Sequence, residues 1–328
     1  MPSIKSYHEQ SEGYVKAIER ETSTLGKMLG NRKVNSLYFG GGSPSLLTPE
    51  QVSKIYRSIS ESIGNLDNIE VSLELHPEIV RLQSESYLDK LREIGINRIS
   101  VGAQTTNSSI LRKTKRGHTR EETYGILEAT RRLGFTRNVD LMWGFSEQTL
   151  EDHQKSLEAV IASEPDNITT YFLEIRPTSP DFERYQLVVK DKEYQRKVIQ
   201  MGTKNNATLT GSDFSEKTFD YWFKGKDFEH RKRKWGGDNT ILLSLGPGTY
   251  NWVFDGEDNN IVFFKPYNTG EWQESVNRGA YPIERVAVLN KEETARRHAM
   301  FSLRQGSTPK DIITSVPELG ELVKEMVG

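Results

Sequence analysis

Tyr38-Phe39-Gly40-Gly41-Gly42-Ser43-Pro44-Ser45-Leu46-Leu47 decides how the rest of the chain is read. An apolar strand pattern, Val34 to Phe39, runs straight into three glycines. Lacking a Cβ, glycine lets backbone approach a ligand closely and takes up dihedrals closed to other residues. Thr48-Pro49-Glu50-Gln51 then has the form of a helix start, with threonine as N-cap, proline at the first helical position and glutamine three residues on. Strand, glycine turn and helix in this order make the first unit of a βα repeat.

The repeat continues outward from there. Ile69-Glu70-Val71-Ser72-Leu73-Glu74-Leu75 alternates apolar and polar residues, as a strand does. A helix is expected over 84–94 with a stop at Gly95, then a strand over 97–103. A helix over 120–133 stops at Gly134, a strand covers 137–142, a helix 149–163 and a strand 168–173. Ala207-Thr208-Leu209-Thr210 reads as one more strand. Upstream, Val15, Ile18, Leu25 and Leu29 give 14–29 a helical pattern. This rhythm predicts a parallel α/β sheet, open or closed into a barrel, over residues 1–212. It fails after 212, so a smaller C-terminal α+β domain is expected over 213–328, with a strand at 260–265 and a helix at 291–304. The aromatic and basic stretch from Phe214 to Arg233 suits either a substrate lid or a domain interface.

A net charge of −2 leaves no basic footprint for nucleic acid. No apolar run reaches the roughly 18 residues of a membrane span, and the first residues lack the apolar core of a signal peptide. A cytoplasmic protein acting on a small molecule is the expectation. The 328 residues contain no cysteine, which excludes disulfides and thiolate-held metal within them.

In parallel α/β folds ligands bind where strands end. Here the strand ends carry Gly40–Gly42, Glu74, Gln104, Asp140, and Glu174 with Arg176, and Arg116 follows the third strand. Carboxylates suit an ammonium or a ribose diol, and an arginine suits a carboxylate. Five such positions in phase suggest a zwitterionic ligand carrying a ribose.

These blocks resemble the HemN/HemW group of radical S-adenosylmethionine (SAM) proteins, which comprises oxygen-independent coproporphyrinogen III dehydrogenases, heme chaperones similar to them, and HemN-like methyltransferases. The glycine block is one match. Others are Glu74 in Leu73-Glu74-Leu75-His76-Pro77, Gly95-Ile96-Asn97-Arg98-Ile99-Ser100-Val101-Gly102-Ala103-Gln104, and Arg116-Gly117-His118-Thr119. Asp140-Leu141-Met142-Trp143-Gly144-Phe145-Ser146-Glu147-Gln148-Thr149 is similar to a further block, with Ser146 in place of proline, and Trp235 and Leu245-Gly246-Pro247-Gly248 resemble the start of the C-terminal domain. The likeness spans about residues 10–305. It implies a TIM-like (β/α) barrel lacking its first strand. It also implies SAM held by Tyr38, Gly40, Gly41, Gly42, Ser43, Glu74, Gln104, Arg116, Asp140 and Met142, with Asp140 on the ribose.

The family's Cys-x3-Cys-x2-Cys loop and first strand lie upstream of what aligns with residues 1–10. Residues 1–30 or a second subunit in a homodimer are expected to cover the sheet edge. Without a cluster, the expectation is a SAM-dependent transferase: non-radical methyl or aminocarboxypropyl transfer, or SAM cyclisation or elimination. His76, His118 and Glu174 are its candidate catalytic groups, and both histidines also read as hydrogen-bonded loop residues. Tyr171 and Trp143 are candidate pocket walls. Two alternatives stay open. One is a non-enzymatic carrier of heme, tetrapyrrole or SAM, with His118, His153 or His230 as axial ligand. The other is an N-terminally truncated radical SAM enzyme.

Overall fold

The computed structural model describes residues 4–30, 33–84, 86–175, 177, 182–218, 220–225, 227–235, 241–254 and 260–304. The elements run α1 (Ile4–Leu29), β1 (Ser36–Phe39), a 3-10 turn (Pro44–Leu46), α2 (Pro49–Ser62), β2 (Glu70–Leu75), α3 (Ile79–Leu82), α4 (Tyr87–Ile94), β3 (Arg98–Gln104), α5 (Ser108–Lys113), α6 (Arg120–Arg132), β4 (Thr136–Trp143), α7 (Leu150–Ala162) and β5 (Asn167–Phe172). They continue as α8 (Phe182–Lys190), α9 (Lys192–Thr210), β6 (Ser215–Thr218), β7 (Tyr221–Phe223), α10 (Glu229–Trp235), β8 (Ile241–Leu242), β9 (Tyr250–Val253), β10 (Asn260–Phe264), α11 (Thr269–Asn277), β11 (Arg285–Leu289) and α12 (Lys291–Arg304).

Contacts divide the described residues into two compact units that interleave along the chain. One takes Tyr38–Leu46 and Val71–Asp227; the other takes Met1–Leu37, Leu47–Glu70 and Phe228–Gly328. A single cut at 212 differs from this division, because residues before 70 are shared between both units.

The first unit is built on a seven-stranded sheet in the order β1-β2-β3-β4-β5-β7-β6. β2 to β5 pair in parallel, and β7 and β6 extend them antiparallel. The alternation of each strand sorts its side chains. Leu73, Leu75, Ile99, Val101, Ala103, Val139, Leu141 and Ile168 are buried. The residues between them on β3 and β4, such as Ser100, Asn138 and Asp140, project to the opposite face. Helix ends follow local chemistry: Thr119 and Thr149 close capping boxes, and Gly95 ends α4 at φ 114°, a left-handed conformation that glycine adopts without strain.

Residues 207–210 correct the sequence expectation: they form the last turn of α9, not a strand. Asp191 caps that helix through Tyr194 N, and Met201, Asn205 and Leu209 recur on its buried side at four-residue spacing. Two β-branched threonines do not outweigh a capped helix of 19 residues with a buried face.

In the second unit β11-β10-β9-β8 form an antiparallel sheet. α1 packs on α2 and α11. The Arg297 guanidinium lies over the rings of Trp252, Phe254 and Phe301. No helix among the described residues is long and apolar enough to cross a membrane.

Candidate functional site

Most of the residues predicted for the site meet at the carboxyl ends of β1 to β4. Gly41 and Gly42 have φ of 81° and 105°, so the turn after β1 needs the conformational freedom of glycine. Glu74, near the end of β2, ties that turn down. Its Oε1 accepts from the Tyr38 hydroxyl at 2.8 Å and its Oε2 from Gly41 N at 3.1 Å. A Cβ on Gly40 would lie 2.3 Å from a Tyr38 ring carbon and 2.8 Å from Glu74 Oε1, so this position requires glycine for space. Burial, together with the charges of Glu74 and Asp140, raises the Tyr38 phenol well above its ordinary pKa, and it remains a donor. Ser43 is exposed, and its carbonyl accepts from Leu46 N to close the 3-10 turn.

Gln104 ends β3 with φ 64°, and its Oε1 is buried without a hydrogen-bond partner. Arg116 Nε, in the loop after α5, is likewise buried without one. Both groups lie close to Gly102, whose Cβ would meet Gln104 Nε2 at 3.3 Å and Arg116 Nη2 at 3.8 Å. A buried acceptor and a buried donor that each lack a partner cost folding energy unless a ligand or water supplies one. Asp140, on β4, is half-buried. Burial pushes its carboxyl up to about 6, the Glu74 charge adds to the rise, and hydrogen bonds from Ser100 and Asn138 oppose it.

Met142, two residues on, shares with Arg116 the wall of a cavity of about 460 Å³. Ile110, Phe145, Leu173, Ile175 and Val188 make it apolar, and Lys113, Arg184 and Glu147 charge its rim. Tyr185 and Tyr194 also line it, but their hydroxyls are committed to the carbonyls of Leu173 and Gly144. Lys113 is in an ion pair with Glu147, so the charged groups left for a ligand are the guanidinium groups of Arg184 and Arg116.

The structure treats the predicted catalytic groups unequally. His76 and His118 stand edge to face with ring centroids 4.9 Å apart. His118 is buried, its Nε2 lies 3.3 Å from the Ala103 carbonyl, and its Nδ1 lacks a partner. His76 Nδ1 accepts from Glu78 N at 3.3 Å. Burial lowers both imidazole pKa values, and the Arg116 charge lowers them further. Glu174 is exposed and sits outside the cavity wall between two residues that line it. Trp143 and Tyr171 are not part of that wall; Trp143 packs on Phe172. His153 is buried with Nε2 on Asn205 Oδ1 at 2.5 Å, and His230 Nδ1 lies 3.5 Å from Ser36 Oγ. Arg176 lies outside the described residues. Ser100, Asn138 and Thr169 were not among the expected residues. Their signal was available in the polar steps Asn138 and Asp140, which alternate with Val139 and Leu141.

A glycine turn clamped by a carboxylate, a second carboxylate near the end of β4 and a half-buried guanidinium define a parallel α/β protein with oppositely charged groups gathered at its strand ends. The comparisons give the family. A match to the Radical SAM superfamily covers residues 6–160. The chain is 31% identical over 313 residues to the oxygen-independent coproporphyrinogen III oxidase of Escherichia coli (strain K12), covering 92% of this chain and 66% of that one. It is 30% identical over 172 residues to the heme chaperone HemW of Buchnera aphidicola subsp. Schizaphis graminum (strain Sg), covering 52% of this chain and 44% of that one. The solved structure of coproporphyrinogen III oxidase (HemN) from Escherichia coli, described as a radical SAM enzyme, superposes with a TM-score of 0.76 at 23% identity, over 91% of this chain and 69% of that one. The chain belongs to the radical SAM superfamily, and within it to the HemN/HemW-like group. It spans 66% or less of the length of these two curated relatives.

This kinship overturns the expected SAM-dependent transferase: the curated relatives are named as oxidases and heme chaperones. It also lends no support to a protein that works without an iron–sulfur cluster. What stands is narrower. No cysteine occurs in the 328 residues, so none of them can ligate a cluster by thiolate. SAM does fit the residues present: orphaned Gln104 and Arg116 atoms, a turn with no room for a Cβ at Gly40, and the Asp140 carboxylate with the Arg116 guanidinium and the Glu74 charge both acting on it.

Proposed function

We propose that this chain holds SAM at the carboxyl ends of β1 to β4 and presents it to a carboxylate-bearing tetrapyrrole, the ligand class its relatives are named for. The charge balance of the cradle carries this reading. Glu74 and Asp140 against Arg116 give a net charge of −1, and SAM, with a sulfonium, an ammonium and a carboxylate, carries +1. The glycine turn and Glu74 would receive the ammonium, Arg116 the carboxylate and Asp140 the ribose hydroxyls. Bound SAM supplies an electrophilic sulfonium. The residues of this chain orient it: the Tyr38 hydroxyl donates to Glu74 Oε1 and holds that side chain in place, and the apolar wall of Met142, Phe145 and Leu173 excludes water. Arg184 on the rim, together with Lys113 if it exchanges Glu147 for the ligand, suits the carboxylates of a tetrapyrrole. Cysteines for a cluster would have to come from outside these residues.

Calorimetry with SAM tests the cradle, and quenching of coproporphyrin III fluorescence tests the rim. Gly40→Ala is expected to weaken SAM binding at least about 10-fold, about 1.4 kcal/mol, because its methyl displaces Tyr38 or Glu74. The double variant Lys113→Ala/Arg184→Ala is expected to weaken porphyrin binding about 10-fold and leave SAM affinity within about twofold. No heat with SAM, combined with a one-to-one Soret shift with heme, would replace this reading with that of a heme carrier.

A further inference from the structure

The sheet face that carries Asp140 also carries polar side chains that no ligand contact accounts for. Ser100 on β3, Asn138 on β4 and Thr169 on β5 are 5%, 3% and 2% exposed. The parallel register pairs Ser100 with Asn138 and Asp140 with Thr169, so the four lie on neighbouring strands at two successive levels of one sheet face. Asn138 Nδ2 donates to Asp140 Oδ1 at 2.8 Å and to Ser100 Oγ at 2.8 Å. The Ser100 hydroxyl then gives its one proton to Asp140 Oδ2 at 3.0 Å. Thr169 Oγ1 donates to Asn138 Oδ1 at 3.1 Å. That last bond orients the amide, because a hydroxyl donor claims its oxygen and turns its NH₂ toward the carboxylate.

Three buried polar groups on one sheet face are expensive unless each has partners, and here each one does. The bonds from Asn138 and Ser100 converge on a single carboxylate and take one lone pair from each of its oxygens, and Thr169 acts through Asn138. An ionised carboxylate has roughly four such positions, so acceptor capacity remains on both oxygens. A cis-diol needs that arrangement: two acceptors, side by side and held still. We propose that Ser100, Asn138 and Thr169 are positioning residues that hold the Asp140 carboxylate in one orientation, both oxygens ready to accept from the vicinal hydroxyls of a ribose. The link to ribose rests on the SAM cradle proposed above. The other charged or titratable groups facing Asp140 are Glu74 on β2, Arg116 in the loop after α5 and Tyr38 on β1. Glu74 disfavours the ionised carboxylate, whereas Arg116 favours it. Ser100, Asn138 and Thr169 supply the rest of the support for ionisation.

The test uses two readouts on the same proteins. ¹³C NMR of labelled aspartate follows the Asp140 carboxyl through its titration without ligand, with Asp140→Asn identifying the signal. Calorimetry follows SAM affinity from pH 5.5 to 8. In Ser100→Ala and Asn138→Leu the Asp140 midpoint is expected to rise by about one pH unit. SAM binding should weaken about 3–10-fold at pH 6.5 and recover in part at pH 8, since the carboxylate must be ionised to accept from hydroxyls. Ser100→Thr keeps the hydroxyl and should leave both curves in place. Thr169→Val, a mild change, should move both in the same direction by a smaller step. A merely structural role predicts a loss of affinity equal at every pH. An Asp140 midpoint that stays put in Ser100→Ala, Asn138→Leu and Thr169→Val overturns the inference. A midpoint that moves while SAM affinity does not follow keeps the network and overturns the cradle reading instead.

Discussion

Asp140→Asn is expected to make the protein more stable at pH 7.5 while weakening SAM binding at least about 100-fold, about 2.7 kcal/mol. The two effects have one cause. The Asp140 carboxyl titrates at about 6 in the folded chain, against an ordinary 3.8, because burial disfavours its charge. Between those values the folded state holds a proton that the unfolded state has released. Stability therefore falls as pH rises through this window, and the full cost is reached above about pH 6. Two pKa units correspond to about 3 kcal/mol, and for a half-buried side chain the recoverable part is about 1–2 kcal/mol. An amide of the same shape carries no such cost and loses the second acceptor that a ribose diol needs. Urea unfolding at pH 4.5 and 7.5 checks the stability side, and calorimetry checks the binding side. The stability difference between variant and parent should grow with pH across that interval. A variant less stable than the parent at pH 7.5 would show that the hydrogen bonds from Ser100 and Asn138 outweigh burial. Unchanged SAM affinity would remove Asp140 from the cradle.

The same carboxylate shows how far this protein can be read from its residues. Its position, and those of Gly40–Gly42, Glu74, Gln104 and Arg116, followed from a short-range rule: polar residues in phase at strand ends. That rule works because β-strands alternate with period two and helix stops such as Gly95 are written locally. The network beneath Asp140 depends on register between strands, since Ser100 and Asn138 become neighbours only when β3 and β4 pair. The same limit applies past residue 173. There α8 and α9 replace the simple βα rhythm, and β7 pairs antiparallel with β5. Thr208 and Thr210 favoured a strand locally, and the buried face of α9 decided otherwise. Chemistry was the least legible level. The glycine turn marks where backbone comes close to a ligand, but a reaction depends on what else meets that ligand.

Glu21 marks the other limit, and it carries the largest stability effect expected here. In sequence it is one more charge among those of α1. In the folded unit its side chain and that of Lys265, just after β10, are both fully buried and form an ion pair. Glu21 Oε2 also accepts from Gly246 N at 2.8 Å and from Trp272 Nε1 at 3.2 Å. The Lys265 ammonium donates to the Ser244 carbonyl and lies 4.8 Å from the centre of the Tyr281 ring. One carboxylate thus ties α1 to the turn at Gly246, to α11 and to the end of β10. Glu21→Ala leaves a buried cation without its counter-charge and three donors without their acceptor, and is expected to cost about 3–5 kcal/mol. That is a large part of the roughly 5–15 kcal/mol that keeps a domain folded. Lys265→Met should cost less, because Glu21 keeps two neutral donors. The double variant Glu21→Leu/Lys265→Met should regain much of the loss, since it buries neither charge. Denaturant midpoints of the parent, Glu21→Leu, Lys265→Met and the double variant give the coupling directly. A double variant as unstable as the sum of the single ones would mean that the pair itself contributes nothing, and that Glu21 matters for its bonds to Gly246 and Trp272.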